Sequence, residues 1–482
     1  MELTDNISKQ TKYLLYFLVA LVLYFVFFHR LDSFYLRTWD ESVYSVYSYE
    51  MMHNGNYLVP SINGMVDHLN DKPPLFFWAQ IVFIKLIGYN ELSVRMPSAI
   101  CGALTVILVF SFLTKHFSFL FGLFAALVLC SIKGFVTFHS SRTGDMDVML
   151  TLGITGFIFH FYNYMKEKTT KYLIYTLLFF LLAFFTKSII VFFTIPAILF
   201  WIISKERSIL KDKKIWFGTL AVIIAITSYV LIRSNYEAGY FSGHMLDYLL
   251  KFKQPFYATH DHPWDFYINN FYNDRFAHFF LLLPLTFLLL SREKNTDLKY
   301  FIQFIGLIAL VFITILSISP TKCFWYDVPV FPIFSIVIGY LIWKVIAFVL
   351  ENNKTVSITL ITGAIFSLPL YFAIKRSHNN DIADVHTRNI EVVSEYFHDH
   401  KKSMPYANIT VGNEQYETPM LFYKYYFKDY QNKNITISTV DKLKSDEIFI
   451  TGNDSIKNYI TTHYQTEQLE TYKNATIYKI KQ

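Results

Sequence analysis

Long apolar runs separated by short polar breaks fill the chain up to about residue 375. YLLYFLVALVLYFVFFH (13–29) and FIQFIGLIALVFITILSIS (301–319) have the length of a bilayer crossing, and FLFGLFAALVLC (119–130) reaches it with its flanks; a spanning helix needs roughly 17–25 apolar residues. The same reading places spans near 12–29, 92–113, 119–140, 147–164, 171–186, 188–203, 214–232, 276–291, 299–318, 324–346 and 355–375. The expected fold class is an all-α polytopic membrane protein of about eleven transmembrane helices plus interfacial helices. PPLFFWAQIVFIKLIG (73–88) is apolar but short and carries Lys85 in its middle, so it reads as a helix lying in the interface. Beyond residue 378 the pattern changes. Polar helix-like stretches (NIEVVSEYFHDH, TPMLFYKYYFKDY) alternate with strand-like ones (ANITVGN, NITIST, DEIFITGN, ATIYKIK), which predicts a small α/β domain over 379–482. The domain reading is therefore 1–378 and 379–482, with 30–91 and 233–275 as the two large loops of the first.

Composition agrees. The chain is 53% hydrophobic, 19% aromatic and only 17% charged, where soluble proteins carry roughly a quarter charged residues. The net charge of +6 is modest, no nucleic-acid partner is expected, and the distribution says more than the sum. With the N-terminus in the cytoplasm, the inward loops hold Lys115, Lys166, Lys168, Lys171, Lys205, Arg207, Lys211, Lys213, Lys214, Arg292, Lys294, Lys299, Lys344 and Lys354. The short outward loops hold little more than Arg142, Lys187 and Lys322. That asymmetry obeys the positive-inside rule, and it puts loops 30–91 and 233–275 and the 379–482 domain outside. Cys101, Cys130 and Cys323 lie in or beside apolar runs without metal-ligand spacing and read as packing residues.

The candidate chemistry collects on the outward face. Asp40 and Glu41 follow the first span in RTWDESVY; Thr38 and Glu41 also fit a capping box, in which acids at a helix start are ordinary. Asp71 and Lys72 precede two prolines. Arg142, Asp145 and Asp147 cluster between two spans, where ionisable residues are expensive and usually functional. Lys187 and Lys322 stand between spans with little loop to solvate them, and with Lys72 and Arg142 they suggest an anion site. His260-Asp261-His262 supplies imidazole and carboxylate groups of the kind divalent ions take.

In this order the blocks resemble one family: the polytopic glycosyltransferases of the GT-C fold that use polyprenyl-phosphate sugars, and within it the bacterial lipid A aminoarabinose transferases and the protein O-mannosyltransferase superfamily. The similarity rests on Asp40-Glu41, GNYLVPSING (55–64), KPPLFFW (72–78), RMPSAICGALTV (95–106), RTGDMD (142–147), FTKS (185–188), HDHPWDFY (260–267) and TKCFWYDVPVFP (321–332). The resemblance implies inverting transfer from a polyprenyl-phosphate sugar to a lipid, glycan or protein acceptor, on the periplasmic side of the inner membrane. It implies Asp40 as the catalytic base, with Glu41 capping its helix or binding acceptor. Asp147, with Asp145 as the alternative, matches the second outer acid. A charged leaving phosphate needs fixed cations in a water-poor cleft, for which Lys72, Arg142, Lys187 and Lys322 are the candidates. The one cofactor in view is a divalent metal on Asp71 with His260 or His262; the aminoarabinose transferases have Glu where this chain has the shorter Asp71. A transporter or flippase that binds a phosphate lipid is the second reading, but neither the inverted repeats nor the midplane breaks common in such proteins are evident. A membrane-anchored scaffold working through its tail is the third.

Overall fold

The computed structural model describes residues 8–68, 70–137, 139–237, 240, 260–352, 367, 371–372, 375, 385–413 and 417–481. They form two compact units. A helical unit comprises Met1–His29, His68–Phe76 and Pro97–Arg376; a loop-and-tail unit comprises Arg30–Asp67, Phe77–Met96 and Ser377–Gln482. Where the sequence reads a 1–378 domain followed by a 379–482 domain, the fold thus gathers most of the first outer loop with the tail.

In the described residues six helices are long and apolar enough to cross a membrane: Lys9–Phe28, Glu91–His116, Thr170–Lys205, Lys213–Tyr236, Thr296–Ile318 and Phe324–Phe348. The pair Phe266–Arg275 and Ala277–Ser291, bent by 104°, would make a seventh. The chain is a multi-pass membrane protein. The runs 171–186 and 188–203 join into one segment through a 3-10 stretch, Ser188–Thr194. The run 119–140 holds a 13-residue buried helix, Phe119–Ser131, followed by the short helix Lys133–Val136. The run 276–291 belongs to the bent pair, and 355–375 lies for most of its length outside the described residues. The segment 73–88 forms the helix Leu75–Ile87, 13 residues long and too short to cross.

Close approach between helices in the helical unit depends on glycine, as is usual where backbones must meet without a hydrophobic driving force from water. Asp147–Glu167 and Thr170–Lys187 form a tight hairpin, turned by Lys168 in the left-handed region (φ 56°). A Cβ on Gly153 would stand 2.7 Å from the backbone nitrogen of Ala183, and one on Gly156 2.2 Å from the ring of Phe179. Gly306 has open space around it. Gly153→Leu should therefore lower the stability of the detergent-solubilised protein by about 1–3 kcal/mol, the usual cost of overpacking, while Gly306→Ala should leave the melting temperature nearly unchanged.

The loop-and-tail unit starts with a helix, Asp40–Asn54, closed by Gly55 at φ 73°. The short strands β1 (Ser61–Ile62) and β2 (Met65–Val66) pair antiparallel around Asn63-Gly64, both with positive φ, the preferred two-residue hairpin turn. Glu50 ties this hairpin down by accepting from Ser61 Oγ at 2.5 Å and from the Gly64 amide at 3.1 Å. In the tail, β3 (Asn408–Gly412), β4 (Asn434–Ser438), β5 (Ile448–Thr451), β6 (Thr466–Tyr472) and β7 (Ala475–Ile480) form a mixed sheet of order β4-β3-β5-β7-β6. β3 runs parallel to β4 and β5, while β7 runs antiparallel to β5 and β6. The expected α/β domain is present, and it shares one core with the first loop: Tyr35, Leu36, Tyr49, Tyr89 and Val94 pack with Tyr396, Phe397, Tyr423, Phe427 and Ile477. Glu91, fully buried beside this core, is matched by Lys401 Nζ at 2.7 Å, His398 Nδ1 at 2.8 Å and Tyr423 Oη at 3.2 Å, as a buried carboxylate requires.

Candidate active site

The hairpin explains the central pair of the helical unit. Because its two helices run antiparallel from the turn at Lys168, the first residue of one and the last of the other return to the same end. Those residues are Asp147 and Lys187, forty positions apart in sequence. Lys187 Nζ donates to Asp147 Oδ1 at 2.5 Å, both side chains are almost wholly buried, and the ammonium lies 4.6 Å from the centre of the Tyr326 ring. Helix Thr170–Lys187 stops there, since Ser188 takes φ 44° and the chain continues as 3-10 helix. The apparently unaccompanied lysine between two spans is therefore a paired cation with an aromatic face beside it.

Asp145 occupies a different setting. Its carboxylate accepts from the Thr143 hydroxyl and lies 3.2 Å from His139 Nδ1, whose ring stacks on Trp325 with centroids 3.9 Å apart. Trp325 and Tyr326 belong to the 3-10 turn Phe324–Val330, so a single turn reaches both acids' partners. The turn is fixed in its own right by Arg275, which grips Asp327 with Nε at 2.9 Å and Nη2 at 2.7 Å. Arg142 points elsewhere. Its two terminal nitrogens donate to the carbonyls of Val26 and His29 at 2.8 and 2.9 Å, satisfying the end of the first helix.

The Asp71-Lys72 corner is held from Lys213–Tyr236. Arg233, fully buried, donates to the carbonyls of Asn70 at 2.8 Å and Lys72 at 2.7 Å, and pairs with Glu237 at 3.1 Å. The Lys72 ammonium binds the neighbouring Asp71 carboxylate. Lys322 donates from Nζ to the His262 carbonyl at 2.8 Å and from its amide to the His260 carbonyl at 3.0 Å. Burial holds the Lys322 ammonium below the ordinary lysine range, with Asp261 partly opposing. The expected ligand set of Asp71, His260 and His262 does not form among the described residues. Asp71 is occupied by Lys72, His262 stacks on Phe266 at 4.1 Å, and the His260–His262 segment meets Lys322 through its backbone. Within this unit His139 and Asp145 are contacting side chains of metal-ligating type, as are His68 and Glu237 at 3.5 Å.

In the loop-and-tail unit, Asp40 is the first residue of its helix and half-buried. The capping box does not form. Thr38 turns its hydroxyl to Glu391 at 3.3 Å, and Trp39, not Thr38, occupies the cap position with φ 67°. Glu41 is almost completely buried and bound in a fork by Arg95, with Nε at 2.7 Å and Nη2 at 3.0 Å, while accepting the Arg37 amide at 2.8 Å. The adjacent acids thus differ in kind: Glu41 is an architectural ion-pair partner and Asp40 lies at the helix start.

His139, Arg233, Arg95, Glu391 and the Arg275–Asp327 pair were not singled out in the sequence. Arg95 and Asp327 lie inside the matching blocks, and His139 opens the stretch that holds Arg142. Arg233 sits at the edge of an apolar run, where a cation looks like a span boundary. Only the fold shows it turned inward.

The family model for dolichyl-phosphate-mannose-protein mannosyltransferase matches residues 71–232, a stretch that contains Asp71, Lys72, Arg142, Asp145, Asp147 and Lys187. An undecaprenyl phosphate-alpha-4-amino-4-deoxy-L-arabinose arabinosyl transferase of Aeromonas hydrophila is 28% identical over 43% of this chain and 38% of its own length. Its namesake in Pseudomonas savastanoi is 26% identical over 60% of this chain and 54% of its own. The match thus spans about half or less of these two transferases. An uncharacterised Aquifex aeolicus protein is 25% identical over 75% of this chain and 70% of its own length. The crystal structure of ArnT from Cupriavidus metallidurans bound to undecaprenyl phosphate superimposes with a TM-score of 0.68 over 98% of both chains, at 13% identity. The two proteins share their fold.

Proposed function

We propose that this membrane glycosyltransferase of the GT-C fold moves a sugar from a polyprenyl monophosphate carrier to a lipid, glycan or protein acceptor, with inversion at the anomeric carbon. In this reading the acceptor hydroxyl attacks the anomeric carbon, its proton passes to a carboxylate, and the lipid phosphate leaves with the electrons of the broken glycosidic bond. Asp40 is the base: a half-buried carboxylate at a helix start which, among the described residues, is not committed to a structural ion pair as Glu41 is. Lys187 is the principal cation for the phosphate, with Lys72 and Lys322 as further candidates. The observation that carries the reading is the buried Asp147–Lys187 pair beneath Tyr326. Its ammonium is a fixed cation in a water-poor setting of the kind that stabilises a departing anion, and Asp147 and Lys187 lie within the stretch that matches the mannosyltransferase model. Arg142 has the weaker claim on phosphate, because carbonyls of the first helix occupy it. Asp145, next to His139, is retained as the alternative second acid. No metal step is part of this reading.

The positive-inside asymmetry supports a bacterial inner-membrane location with the reaction on the periplasmic side. The deciding experiment supplies membranes with radiolabelled aminoarabinose and mannose on undecaprenyl phosphate, and follows label into lipid, glycan and protein fractions. Transfer from either donor supports the proposal. Bound donor without transfer from any sugar would favour a carrier of phosphate lipids instead.

A further inference from the structure

The inference drawn here rests on Asp40 as base and concerns what holds it in place. Tyr35 to Thr38 lead into Trp39, whose φ of 67° is in the left-handed region, and the helix begins at the next residue. A bulky residue takes that conformation only where its surroundings over-determine it. Part of these surroundings is supplied by the tail, beside the bonds of Arg95 to the Tyr35 carbonyl and of the Arg37 amide to Glu41. Glu391 Oε2 accepts from Tyr35 Oη at 2.8 Å and from Arg37 Nη1 at 3.1 Å, and its Oε1 from Thr38 Oγ1 at 3.3 Å. The Leu36 amide donates to Tyr423 Oη at 3.2 Å. Past the strained residue, Ser42 Oγ lies 2.8 Å from Thr418 Oγ1. Glu391 is only 3% exposed. A carboxylate buried this deeply is costly unless donors surround it, and the donors described for it come from the lead-in to Asp40.

We propose that Glu391 is a positioning residue for the transfer reaction: the tail's buried carboxylate fixes residues 35–38, which forces the turn at Trp39 and sets the direction of the Asp40 side chain. The tail then contributes to catalysis without touching substrate. Small displacements of a reacting group lose much of the rate while leaving binding largely intact.

The test uses full-length protein and the donor on which the wild type turns over. Glu391→Ala should lower kcat on the order of 10²-fold, with KM for the donor within about twofold of wild type. In an Asp40→Asn background the same change should lower residual transfer by less than about twofold, because a residue that acts through another is not additive with it. Hydrogen exchange gives a readout free of activity: the amides of 36–43 should exchange faster in Glu391→Ala, while those of β5 and β7 keep wild-type protection. If the alanine variant does not fold, Glu391→Gln, which loses the charge on Arg37 but keeps an acceptor, replaces it with a smaller expected loss. An equal fold-loss in both backgrounds, or unchanged kcat and exchange, would overturn the proposal. Full transfer by Asp40→Asn alone would instead overturn the base assignment beneath it.

Discussion

Asp40→Asn is expected to abolish most sugar transfer, by about 10²–10⁴-fold, the range a positioned general base contributes. Asparagine has the shape of aspartate and is tolerated at a helix start, so the variant should fold, bind donor and melt like the wild type. What it loses is a proton acceptor. The neighbouring residue supplies the contrast. Glu41→Gln removes one charge of the buried fork to Arg95 and leaves the guanidinium uncompensated, which typically costs about 3–5 kcal/mol. Its signature is a lowered melting temperature and poor yield, with transfer per folded molecule largely kept. Two carboxylates side by side should thus separate into a chemical defect and a folding defect, scored by single-turnover transfer and thermal unfolding on the same preparations. Wild-type transfer by Asp40→Asn would move the base elsewhere, with Asp147 the first to examine.

The same pair shows what could be read in the sequence and what could not. The multi-pass character, the interfacial length of 73–88 and the α/β tail followed from hydrophobic period and run length, properties of local chain. The block GNYLVPSING carried the resemblance, and the fold gives it a local reason: Gly55 ends a helix in the left-handed region and Asn63-Gly64 turns a hairpin. Apolarity alone does not distinguish a crossing helix from a buried short one such as Phe119–Ser131. Side-chain partners were the least legible. Thr38 and Glu41 had the spacing of a capping box, but Arg95 and Glu391, distant in sequence, compete for both and win with charge-assisted bonds. The ligand set of Asp71, His260 and His262 was illegible for the same reason: they are of ligand type, but among the described residues Asp71 pairs with Lys72 and His262 stacks on Phe266.

The second large effect concerns Lys187, and its expected outcome depends on what is changed with it. Lys187→Met alone leaves Asp147 buried opposite an apolar side chain, so the variant should lose about 3–5 kcal/mol of stability, with little folded protein recovered. Asp147→Asn alone leaves the ammonium buried against a neutral amide and the Tyr326 ring, a milder defect because the amide oxygen still accepts and the ring attracts the cation. The double variant Lys187→Met/Asp147→Asn removes both charges and should regain most of the stability lost by Lys187→Met. Activity should not return with it. If Lys187 supplies the positive charge that the departing phosphate meets, the restored fold still lacks that charge, and transfer should stay depressed on the order of 10²–10³-fold, the size of effect seen when one preorganised electrostatic group is removed. Melting curves and transfer rates on the three variants check this directly. A double variant that is both stable and active would reduce the pair to a helix clasp and pass the phosphate role to Lys72 or Lys322.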